Sequence, residues 1–106
     1  MRETLFLITM THTAESCPGN DPEKMSETIE SAEKIECSAE ELGIKVHFML
    51  DVLLGHTAYA LVETDSPEAL ARFSAGISFP QNCTITPVEH LKDMIERAKE
   101  MLSEKK

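Results

Sequence analysis

Basic residues are scarce in this sequence, and the motifs of several common functional classes are missing from it. The 106 residues include 10 Lys and Arg against 19 Asp and Glu, which gives a net charge of −9. A surface of that charge repels phosphate backbones and anionic lipids, so we expect neither a nucleic acid nor a membrane as a partner. The sequence also lacks a glycine-rich phosphate loop, a dinucleotide-binding fingerprint and a Ser-His-Asp set with usable spacing.

The sequence also lacks long apolar runs, which bears on the cellular compartment that we expect for the protein. No segment approaches the roughly 20 apolar residues of a membrane-spanning helix. The amino terminus lacks the apolar stretch and small-residue cleavage site of a signal peptide, so we expect a cytoplasmic protein. In that compartment the three cysteines, Cys17, Cys37 and Cys83, are expected to be free thiols or metal ligands and not a disulfide framework.

Composition and periodicity predict a single α+β domain over residues 1–106. The chain is 42% hydrophobic and 27% charged, which is typical of a globular domain with one two-layer core. Apolar runs predict strands at residues 4–12, 44–50, 56–63 and 83–87. Helices are predicted to begin after Asp21 and after Ser66, each followed by Pro and Glu, and a third helical stripe begins at Leu91. The order β-α-β-β-α-β plus a terminal helix predicts a ferredoxin-like antiparallel sheet of order 4-1-3-2.

Residue alternation in the strands predicts which faces of the sheet are apolar. In the second strand, one face is predicted to hold Ile44, Val46, Phe48 and Leu50, and the other to hold Lys45, His47 and Met49. The first strand is apolar on both faces, so helices on one side of the sheet leave apolar side chains on the other. The simplest way to cover that face is a homodimer packed sheet to sheet, with the terminal helix as an additional clasp.

Several segments in the middle of the chain carry a family resemblance. They are residues 41–46 (ELGIKV), the hairpin pair Leu54-Gly55, residues 60–63 (ALVE) and residues 66–70 (SPEAL). Over roughly residues 40 to 88 the chain resembles GYD-type small uncharacterised proteins of the dimeric α/β-barrel superfamily. That superfamily includes muconolactone isomerases, antibiotic-biosynthesis-type monooxygenases and haem-degrading proteins, so the resemblance implies a dimeric fold without settling the activity. Thr57-Ala58 stands where that family tends to have Tyr-Asp, so no role of those two residues carries over.

The predicted topology brings residues that are distant in sequence to one rim of the sheet. The first strand ends at His12, the third begins at His56 and the fourth begins at Cys83. The loop after the first strand carries Glu15 and Cys17 over the same rim. Because imidazole and thiolate suit zinc, copper or iron, the sequence predicts a transition-metal site. Its ligands would be His12, Cys17 and His56, with Cys83 or Glu15 completing the shell.

Other interpretations of the same residues remain open. A Cys17 thiolate beside His12 would be nucleophilic or redox-active. A cofactor-free isomerase or monooxygenase-like enzyme would use His12 or His56 as a general base towards a small organic substrate. A third interpretation is a ligand-sensing or dimerisation module that catalyses no reaction. In such a module the histidines and thiols would be neighbours by chance. His47 and His90 are expected to be structural.

Overall fold

The structure is a computed structural model that describes residues 4–15, 17–76 and 82–104. The strands are β1 (Thr4–Thr11), β2 (Lys45–Asp51), β3 (Thr57–Thr64) and β4 (Asn82–Val88). The helices are α1 (Pro22–Glu41), α2 (Pro67–Ala75) and α3 (Leu91–Glu104), and a 3₁₀ turn at Pro18–Asn20 precedes α1. The predicted α+β class, with a four-stranded antiparallel sheet, is confirmed.

Side-chain caps fix where the first two helices begin. The Asp21 carboxylate accepts a hydrogen bond from the backbone N–H of Glu23 at 2.9 Å, and the Ser66 hydroxyl accepts one from Ala69 at 3.1 Å. Each cap satisfies a backbone donor that has no partner within its helix. After α1 the chain turns through Gly43 at φ 78°, a conformation that glycine adopts without a Cβ clash. This turn returns the chain to the sheet at β2.

The sheet has the strand order β2-β3-β1-β4, which is 4-1-3-2 read from the opposite edge. The two central strands pair with Ile8 opposite Ala60 and Met10 opposite Ala58. Alternate residues of these strands share one core with α1 and α2; its buried members are Ile8, Met10, Ala39, Ile44, Ala60, Val62, Ala69, Leu70 and Phe73. The core therefore lies on one side of the sheet, and the opposite face carries the intervening side chains.

The predicted faces of the second strand are wrong beyond Val46. A register shift between Val46 and Phe48 makes His47 an extra residue in the β2–β3 pairing. Because one extra residue reverses the alternation, Met49 turns towards the core, opposite Ala60, and Phe48 turns to the outer face, opposite Leu61. Leu50 follows Phe48 to the outer face and is 58% exposed.

The third helix is amphipathic but buries none of its residues in this chain. Its apolar stripe is exposed, and Leu91 and Leu102 are each 67% accessible. An ion pair between Arg97 and Glu89, with two contacts at 2.6 Å, ties the helix to the segment before it. None of the helices in the described part of the chain is both long and apolar enough to cross a membrane.

Candidate metal centre

His12 and His56 face each other because they extend the pairing of the two central strands. His12 directly follows β1 and His56 directly precedes β3. The backbone N–H of His12 donates to the carbonyl of His56 at 3.1 Å, one pair beyond the Thr11–Thr57 pair. Opposite residues of an antiparallel pair project to the same side of the sheet, so both imidazoles lie on the side that holds the core.

The two imidazoles are close enough to bind the same metal ion. Nδ1 of His56 lies 3.1 Å from Nε2 of His12, and the rings meet edge to face at 74° with centroids 4.9 Å apart. Two nitrogens bound tetrahedrally to zinc at about 2.1 Å are separated by about 3.4 Å. The two nitrogens lie a few tenths of an ångström closer than this, at hydrogen-bond distance, so an ion would bind both only after this hydrogen bond opens and both rings turn their lone pairs towards it.

Cys17 reaches the histidines because its loop folds back on itself. Its carbonyl accepts a hydrogen bond from Asn20 at 3.1 Å, and the Asn20 side chain donates to the carbonyl of Ala14 at 2.6 Å. Pro18, directly after the cysteine, is buried. The sulfur of Cys17 and one ring nitrogen from each of His12 and His56 lie within 4.8 Å of one another. These three residues form a group that could hold a metal ion.

The surroundings of His12 keep its imidazole uncharged. Burial is the main cause that lowers the pKa of His12, repulsion by His56 lowers it further, and attraction by the Asp51 carboxylate partly offsets both. The neutral imidazole is the form that donates a lone pair to a metal ion. One ligand of the candidate centre is therefore held in its binding-competent state near neutral pH.

The lowered pKa of His12 and its causes predict how this residue titrates in the metal-free protein. We expect its NMR titration midpoint to lie below the usual value of about 6.5. Since the unfolded chain then takes up this proton at higher pH than the folded protein, acidification from about 6.5 downwards through the folded pKa destabilises the fold. His56→Ala should raise the midpoint by removing the repulsion, and Asp51→Asn should lower it. A midpoint that both substitutions leave unchanged would contradict the assignment.

A cleft of about 470 Å³ lies between α1 and the sheet, with the three candidate ligands in its wall. The sheet contributes the side chains of Met10, Met49, Asp51 and Ala58. Helix α1 contributes Met25, Thr28, Ser31, Ala32 and Ile35. A metal ion held by the three ligands would therefore sit beside a largely apolar space.

The other predicted ligands lie outside this group. Cys83 is exposed on β4, opposite Met10, and partial burial raises the pKa of its thiol. A raised pKa disfavours the thiolate that binds metals. Glu15 is exposed on the loop between β1 and the 3₁₀ turn. The structure therefore groups three of the five predicted residues.

The remaining histidines and the third cysteine have separate surroundings. His47 Nε2 lies 2.8 Å from a carboxylate oxygen of Glu63, and the carbonyl of His90 accepts a hydrogen bond from Asp93 at 3.0 Å at the start of α3. Cys37 is exposed on α1. None of these three residues belongs to the group of His12, Cys17 and His56.

Sequence reasoning missed the residues that form the cleft around the group. The predicted second strand ends at Leu50 and leaves out Asp51, which is the last residue of β2 and lies opposite Ala58. Met49 was assigned to the wrong face because of the extra residue at His47. Alternation within β2 gives no signal of this shift, because Phe48, Met49 and Leu50 are all apolar.

Comparison of the chain with known protein families, curated proteins and solved structures finds no match.

Proposed function

We propose that this protein binds one transition-metal ion through His12, Cys17 and His56 and presents it to a small molecule in the adjacent cleft. The observation that carries the proposal is the approach of two ring nitrogens and one sulfur to within 4.8 Å. Two imidazoles and a thiolate suit zinc, copper or iron, and zinc is the first ion to test.

The number of ligands favours a reactive or ligand-binding centre over a purely structural one. Structural zinc sites are closed by four protein ligands, whereas catalytic sites use three and keep a fourth position for water or substrate. Among the described residues, the group contains three ligands, and all three line the cleft. The fourth position would therefore be available to a molecule that enters from the cleft.

Cobalt(II) titration of the metal-free protein tests the proposal, since cobalt replaces zinc and reports its ligands by colour. We expect saturation at one ion per chain, visible bands of a four-coordinate site and a thiolate-to-cobalt charge-transfer band. Cys37→Ser is the matched control, because Cys37 is an exposed cysteine outside the group, and it should give the same spectrum. An unchanged charge-transfer band in Cys17→Ser, or no binding by the native chain, would overturn the proposal and favour a cofactor-free function.

We also propose that the protein is a cytoplasmic homodimer of the ferredoxin-like, dimeric α/β-barrel class. The observed order of strands and helices supports this fold, and three unpaired cysteines suit a reducing compartment. The outer face of the sheet supports the dimer, because Phe48, Leu50 and Tyr59 are exposed there beside Leu61. A second copy of the same face would cover these side chains.

The exposed apolar stripe of α3 supports a role for this helix in the proposed dimer. Four strands about 4.8 Å apart and about 25 Å long offer a face of about 500 Å² per protomer. A stable interface buries about 800 Å² of accessible surface on each partner, so a contribution from outside the sheet would enlarge the interface. The exposed apolar stripe of α3, on a helix about 21 Å long, would supply that contribution.

Sedimentation at micromolar concentration tests the dimer. We expect twice the 11.8 kDa mass of one chain. Leu50→Asp should yield monomer, since it places a charge in the outer face, whereas Leu53→Asp in the hairpin should remain dimeric although Leu53 is 94% exposed. A native chain that sediments as a monomer would refute the dimer.

A further inference from the structure

The cleft under α1 is much larger than a metal ion and its water would need. Its volume of about 470 Å³ lies within the range of about 300–1,000 Å³ that is typical of small-molecule sites. A water molecule occupies only about 30 Å³. The space therefore suits an organic molecule of substantial size in addition to a metal ion.

The lining of the cleft is mainly apolar. Thioether and aliphatic side chains come from Met10, Met25, Ala32, Ile35, Met49 and Ala58. Thr28 and Ser31 add two hydroxyls, and the Thr28 hydroxyl already donates to the carbonyl of Lys24 at 2.8 Å. A charged group placed among such side chains loses hydration without gaining partners, whereas flexible Met side chains adapt to an apolar body.

The charge at the wall of the cleft is negative. Asp51 lines the cleft, and its carboxylate acts electrostatically on His12 at the metal group. The chain as a whole carries a net charge of −9. In the metal-free protein, both the local carboxylate and the overall charge repel anions, so carboxylate- or phosphate-bearing ligands are disfavoured there.

We infer that the cleft binds an uncharged, largely apolar small molecule, one end of which contacts the group formed by His12, Cys17 and His56. The inference rests on the proposed function, because it names the class of molecule that reaches the open metal position. In the metal-free protein, the Asp51 carboxylate disfavours anionic analogues of that molecule.

The test uses two dyes that share the same ring skeleton. The protein is metal-free, and the methyl groups of its methionines are isotope-labelled. N-phenylnaphthylamine is uncharged, and anilinonaphthalenesulfonate adds a sulfonate to the same rings. We expect the uncharged dye to shift the NMR signals of Met10, Met25 and Met49. Met94 and Met101, on exposed α3, serve as internal controls and should not move with it. The sulfonated dye should bind at least about tenfold more weakly.

Substitutions in the wall distinguish the cleft from other apolar surfaces. Ala32→Phe places a ring in the wall of the cleft and should abolish the shifts, whereas Ala71→Phe, at an equally exposed alanine of α2 that does not line the cleft, should preserve them. Asp51→Asn should bring the affinities of the two dyes to within about threefold of each other.

Three results would each overturn the inference. They are shifts that persist in Ala32→Phe, shifts that occur only at Met94 and Met101, and equal binding of both dyes by the native chain. Because these titrations contain no metal, their failure is distinguishable from failure of the cobalt titration.

Discussion

Cys17→Ser is expected to lower the affinity of the protein for zinc by at least about 100-fold. Loss of a group that merely orients a metal ligand costs about 10–100-fold in affinity, and Cys17 would contact the ion directly. A serine hydroxyl stays protonated near neutral pH, so it replaces the thiolate poorly. Competition with a chromophoric chelator at fixed pH measures the difference between the native and variant proteins.

Cys83→Ser and Cys37→Ser are the controls for this measurement, because both thiols are outside the group. They should bind zinc as the native chain does. His56→Ala should reproduce the loss seen with Cys17→Ser, since it removes a different ligand of the same ion. If Cys17→Ser and Cys83→Ser changed the affinity equally, Cys17 would not be a ligand.

Phe73→Ala is expected to destabilise the fold by about 3–5 kcal/mol, a large part of the about 5–15 kcal/mol that small domains possess. Phe73 is the largest side chain of the buried core and is only 4% exposed. The substitution removes a buried aromatic ring from the core and leaves a cavity beneath α2. Urea denaturation followed by circular dichroism gives the change in the free energy of unfolding.

Leu54→Ala is the matched control for loss of an apolar side chain. Leu54 is fully exposed in the hairpin between β2 and β3, so its truncation should change the free energy of unfolding by less than about 0.5 kcal/mol. Similar losses in the two variants would mean that Phe73 does not lie in the core described here.

Local sequence signals predicted the fold well where neighbouring residues alone determine the local structure. The Asp21-Pro22 and Ser66-Pro67 pairs marked both helix starts, because a polar cap and proline at the first helical position favour a single local structure. The extra residue at His47 was not predictable from alternation alone. Its position depends on the pairing with β3, including the contact of His47 with Glu63.

The candidate site was predictable only in part, because the positions of some of its residues depend on how distant segments pack together. Strand topology brought His12 and His56 together because both occupy strand ends at the same rim. The position of Cys17 depends on how the loop folds around Asn20, and the exclusion of Cys83 depends on where β4 pairs with β1. The cleft depends on the distance between α1 and the sheet, which periodicity does not encode.

X-ray absorption spectroscopy of the protein loaded with one equivalent of zinc identifies the atoms that bind the ion. If His12, Cys17 and His56 bind it, we expect one sulfur at about 2.3 Å and two imidazole nitrogens at about 2.0–2.1 Å, with a light atom in the remaining position. A shell of nitrogen and oxygen alone, or one with two or more sulfurs, would contradict binding by His12, Cys17 and His56.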